Sequence, residues 1–123
     1  MKPTIARVAL FVAGFAVWAA FSIVPGSDGG FTTREAWDSA PYWEFGVPLL
    51  AAAQAISAAA SREKLLQLPV WPLAGHFLGM FAIHRAGADF ALVPLAFVFI
   101  GVPGYFTLLA VSVAARKFAG RFA

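Results

Sequence analysis

Four long apolar runs separated by short polar connections organise this chain. The most informative covers residues 65–83, LLQLPVWPLAGHFLGMFAI, which contains no Lys, Arg, Asp or Glu and holds His76 near its centre. A helix rises about 1.5 Å per residue and needs about 20 apolar residues to cross a hydrocarbon core, so this run predicts a membrane span. His76 would then lie near mid-membrane, where an ionisable group must face protein or a water-filled cavity.

Applied to the whole chain, the same pattern predicts spans over residues 8–24, 40–60, 65–84 and 90–115, with an outer loop over 25–39. Pro25 and Gly26 end the first span. Within the loop, Thr32 and Glu35 have capping-box spacing and predict a short interfacial helix through Ala36, Trp37 and Asp38. Trp37, Tyr42, Trp43 and Trp71 are the amphipathic rings expected to anchor helices at the membrane–water interface. Pro48 should bend the second span, and the alanines between Ala51 and Ala60 keep its lower half thin. The charged turn Ser61, Arg62, Glu63 and Lys64 predicts an antiparallel hairpin of the second and third spans. Gly75 and Gly79 give the third span a side suited to close packing. The fourth run, as one helix, would be roughly 39 Å long, so it must tilt or kink, with Pro94, Gly101, Pro103 and Gly104 as the bending points.

Composition supports this picture. Apolar residues make up 61% of the 123 residues and charged residues 12%; the mean hydropathy is +0.79. The chain has room for one membrane domain and no separate soluble one. With no Cys, there are no disulfides, thiolate nucleophiles or Cys-based metal sites. The net charge of +3 matters less than its placement. With four spans and a cytoplasmic N-terminus, Lys2, Arg7, Arg62, Lys64, Arg116, Lys117 and Arg121 lie inside, and only Arg34 and Arg85 outside. That asymmetry follows the positive-inside rule and places both termini in the cytoplasm. The fold expected is an all-α integral membrane protein, a four-helix antiparallel bundle, in a bacterial inner membrane.

Candidate chemistry is sparse. His76, Met80 and His84 follow one another at intervals of four on one helical face, a stripe that could hold a soft metal or haem iron or pass protons. The two histidines are about 12 Å apart along the axis, too far to share one ion, and a haem held by two histidines through His76 or His84 would take its second ligand from another helix or subunit; no cofactor is the expectation. Gln54 and His76 could meet across the hairpin if a kink removes their offset, at about 9 and 15 Å from the turn. Glu44, His84, Arg85 and Asp89 would cluster at the outer face. No enzyme motif is present, and the basic residues are explained by topology rather than nucleic-acid binding. Two functions fit. One is an accessory or scaffold subunit that packs against a membrane complex or its own copies. The alternative is a small transporter or channel protomer with a polar path past His76 and Gln54 towards Glu44.

Overall fold

The computed structural model describes residues 1–25, 29–83 and 93–122, and the chain is mostly helical. The first helix, α1 (Pro3–Ser22), begins at a proline in its first turn, where the missing N–H has no intrahelical partner to lose. Its buried positions are Ala6, Leu10, Gly14, Trp18 and Ser22, a strict interval of four that makes one inward stripe. The helix stops earlier than the apolar run. Ile23–Pro25 (β1) instead pairs antiparallel with Phe31–Thr33 (β2), setting Ile23 opposite Thr33 and Pro25 opposite Phe31. Two features favour that hairpin. Ile23 and Val24 are β-branched, and Gly29 takes φ of 84°, a left-handed conformation that few other residues tolerate.

The loop therefore differs from expectation. Thr32 belongs to β2, so no capping box forms, and the interfacial helix is a single 3-10 turn, Ala36–Asp38, whose N-cap Glu35 makes no side-chain cap bond. Next comes a five-residue π turn, Tyr42–Gly46, continuing directly into α2 (Val47–Ala60). The third span is also shorter than its apolar run: α3 covers only Val70–Ala82, and residues 65–69 form a turn. Pro69 accounts for this, because a proline disfavours helical backbone at the residue before it. The fourth helical stretch begins with α4 (Val93–Ala96), widens into a second π turn, Phe97–Gly101, and continues as α5 (Val102–Phe122). Arg116 and Lys117 therefore lie on the helix rather than beyond it.

Both π turns have one cause. Each ends in Gly-Val-Pro, at Gly46-Val47-Pro48 and at Gly101-Val102-Pro103. A proline cannot donate to the carbonyl four residues back, and its ring crowds that carbonyl. The turn before it widens, and the Val47 N–H bonds the Tyr42 carbonyl five residues back. Each glycine then packs against a phenylalanine of the preceding long helix, Gly46 on Phe21 and Gly101 on Phe77.

Four helical stretches are present, as expected, but their closest pairings are not between chain neighbours. α1 packs most extensively on α3, and α2 on α5. Both pairs run in the same direction: Arg7 lies over the Trp71 ring while Trp18 reaches Ile83, and Gln54 bonds Ser112 while Arg116 reaches Ala58. The expected close hairpin of the second and third spans is replaced by a ring in the order α3, α1, α2, α5. Glycine explains the tightest side of that ring. A Cβ at Gly14 would collide with the Pro72 carbonyl, and one at Gly75 with the Phe11 carbonyl, so the two backbones are in direct contact.

One end of the ring is tied by charge. The Arg7 guanidinium hydrogen-bonds the buried Glu63 carboxylate, whose other oxygen accepts the Lys64 backbone N–H at 2.9 Å. Arg116 donates to the carbonyls of Ala58, Ser61 and Glu63 at 3.0, 3.1 and 2.8 Å, closing the C-terminus of α2. The bond from Arg7 holds the Glu63 carboxyl below the ordinary carboxylate range despite burial.

Two outcomes follow. Gly75→Ala and Gly14→Ala should each destabilise the fold by about 1–3 kcal/mol through overpacking, read by thermal unfolding in detergent. Gly120→Ala, where nothing lies within 4 Å of an added Cβ, should not. Because Glu63 has a lowered folded-state value, its contribution is complete at neutral pH. It is lost as pH falls below the ordinary carboxylate range and through that lowered value. The acid-induced drop in Tm should therefore be steeper in the native protein than in Glu63→Gln.

Candidate functional site

The site is built where the α1–α3 contact meets the first π turn. Gly14 and Gly75 bring α1 close enough for the His76 ring to reach across it, and Nδ1 lies 3.1 Å from the Gly14 carbonyl oxygen. The π turn carries Tyr42 inward, so that its hydroxyl lies 2.9 Å from His76 Nε2. Trp18 stands edge-on to the imidazole with ring centroids 5.2 Å apart, and its indole N–H is used at the end of α3 on the Ile83 carbonyl, at 2.9 Å. Met80 packs against the neighbouring cluster of Trp18, Ala36 and Tyr42.

The hydrogen-bond roles follow from the partners. A carbonyl can only accept, so Nδ1 carries the hydrogen on its bond to Gly14. Nε2 then has a lone pair, and the Tyr42 hydroxyl donates to it. Tyr42 and His76 together form part of the wall of a cavity of about 260 Å³ between α2, α3 and the fourth helical stretch. Leu50, Leu73, Ile100 and Leu108 make most of the remaining surface apolar. Both π turns contribute to this wall, Tyr42 and Trp43 from the first and Phe99 and Ile100 from the second. On the far side of Leu73 lies a second apolar cavity of about 350 Å³ between α3 and the fourth stretch, lined by Phe77, Phe97 and Tyr105 among others.

The residues singled out in the sequence are thus divided among different places. His76 is buried in the middle of α3, as its position required. Gln54 does not meet it. Its amide donates instead to the Ser112 hydroxyl at 2.8 Å, because α2 lies beside α5 rather than α3, and its Oε1 is buried with no hydrogen-bond partner among the described residues. Glu44 is exposed on the outer side of the π turn, away from His76. His84, Arg85 and Asp89 lie outside the described residues, so the histidine stripe reaches only to Met80 here. Of the expected interface anchors, Trp43 is exposed, and its N–H bonds the Trp37 carbonyl at 2.8 Å. Trp37 and Trp71 are half-buried. Tyr42 is not an anchor, because the widened turn buries it.

Both imidazole nitrogens are engaged, so a metal or haem iron at His76 would have to displace Gly14 or Tyr42. Among the described residues, no three of His, Cys, Asp and Glu gather as they would around a metal ion. No protein-family model, curated protein or solved structure matches the chain.

Removing the tyrosine hydroxyl leaves the buried Nε2 without its protein partner. Tyr42→Phe should therefore lower stability by about 1–3 kcal/mol, measured by thermal unfolding, while Trp43→Phe, at an exposed position, should cost far less.

Proposed function

We propose that this is a small polytopic membrane protein that acts by helix packing, as an accessory or scaffold subunit of a membrane complex or as a homo-oligomer. Its four helical stretches would cross a bacterial inner membrane with both termini in the cytoplasm. The observation that carries this reading is how polar and apolar groups are divided. The mid-helix Gln54 and His76 point inward and find partners on neighbouring elements, the Gln54 amide N–H on Ser112 and His76 on Tyr42 and Gly14, with Gln54 Oε1 alone of these polar atoms left open. Large apolar side chains face outward, with Ile56, Phe99 and Phe106 each more than 60% exposed. In water such a surface would drive association, whereas in lipid it is the normal exterior. Two helices, Pro3–Ser22 and Pro94–Gly120, are long and apolar enough to span by themselves.

The transport alternative has less support. A path past His76 and Gln54 towards Glu44 needs those residues on one cavity, yet Gln54 is fully buried against Ser112 and Glu44 lies on the surface.

Because the chain has no native cysteine, single cysteines give clean labelling. Thr32→Cys should react with an impermeant maleimide on intact cells, and Arg62→Cys only after lysis; the reverse pattern would overturn the topology. Purified in mild detergent, the protein should bring a stoichiometric partner or run as a defined oligomer. Liposome flux should be equal for native protein and His76→Leu. Saturable flux lost in that variant would favour transport instead.

A further inference from the structure

The side of the helix ring between α3 and the fourth stretch is its loosest. It is closed near one end by stacking of Phe77 on Phe97, with ring centroids 4.8 Å apart, and near the other by the Tyr105 hydroxyl bonding the Leu66 carbonyl at 2.6 Å. Between these two closures Leu73 separates the two cavities, facing Gly104, where an added Cβ would lie 3.4 Å from Leu73 Cδ2. Leu73 is thus the wall shared by the two cavities, and the one that holds Tyr42 and His76, the inner cavity, also opens to the outside beside the exposed Trp43 and Phe99.

The polar groups of the inner cavity share a property that selects a ligand. Tyr42 has given its hydrogen to His76 Nε2, and the Thr107 hydroxyl has given its own to the Pro103 carbonyl at 2.8 Å. His76 Nδ1–H is held by Gly14, and the Trp43 N–H by the Trp37 carbonyl. The side-chain donors in this wall are thus committed, while the Tyr42 and Thr107 oxygens retain lone pairs. Such a cavity complements a donor. No carboxylate is among its lining residues to balance a cation, so the fitting donor is neutral.

We propose that the inner cavity binds a membrane-soluble alcohol or phenol, an apolar body with one hydroxyl, which packs against Leu73 and donates its hydrogen to the Tyr42 oxygen. Ketones, ethers and esters of the same shape offer only acceptors and would leave lone pair facing lone pair. This goes beyond the packing role, and its readout is independent of whether a partner co-purifies or a topology label reacts.

The test uses the full chain in detergent or nanodiscs with two matched photoreactive probes, a diazirine-bearing twelve-carbon alcohol and its methyl ether. The alcohol should label the inner cavity at residues such as Leu73 and Thr107, saturably and in competition with unlabelled dodecanol, about tenfold more than the ether. Tyr42→Phe should bring the two probes to equal labelling. Gly104→Leu, which fills the cavity and leaves the Tyr42 and His76 pair in place, should abolish inner-cavity labelling by both; it also serves if Tyr42→Phe does not fold. Equal labelling of the native protein by alcohol and ether, labelling confined to the outer surface, or inner labelling unaffected by Gly104→Leu would each overturn the proposal.

Discussion

The structure depends on a backbone contact between two helices that are not neighbours in the chain. Where Gly14 meets Pro72 and Gly75 meets Phe11, no side chain separates α1 from α3. That approach lets a main-chain carbonyl on one helix serve as hydrogen-bond partner for an imidazole on the other. In an apolar surrounding a polar group without a partner costs far more than in water. The glycines therefore decide the packing and also make a histidine in the middle of α3 tolerable. A larger residue at either position would separate the helices and strand His76 at once.

The architecture was legible to the extent that hydropathy is sufficient to reveal it. Four long apolar runs mark four helical stretches, and the charged turn at Ser61–Lys64 reverses the chain where expected. What the runs do not encode is which helix lies beside which. Connectivity favours neighbours in the chain, but Gly14, Gly75 and Gly79 favour α1 beside α3, and close packing at those positions outweighs the short connection. Gln54 follows from the same error: its partner had to come from whatever helix lay alongside α2, and that is α5 with Ser112. The shortened α3 was readable from Pro69, and the hairpin at Ile23–Pro25 from two β-branched residues ahead of a glycine-rich turn, yet hydropathy alone runs through both.

The Tyr42 and His76 pair was half visible. His76 stood out as an ionisable residue in an apolar run. Tyr42 resembled an interface ring because a regular helix ending at that depth would leave it at the surface. The signal for its burial was the repeated Gly-Val-Pro, at positions 46–48 and 101–103. A proline two residues beyond a glycine, twice and at corresponding ends of the second and fourth stretches, marks two widened turns. Those turns re-aim the side chains ahead of them, and both turns border the same cavity.

The grip of Arg116 on the end of α2 has a mechanical consequence. Three carbonyls held by one guanidinium, with Gln54 bonded to Ser112 further along, prevent α2 and α5 from sliding past each other. Meshed backbones do the same for α1 and α3. The molecule is therefore two rigid pairs of parallel helices, joined along α1 and α2 and cross-tied by the bond from Tyr42 to His76 and the bond from Tyr105 to Leu66.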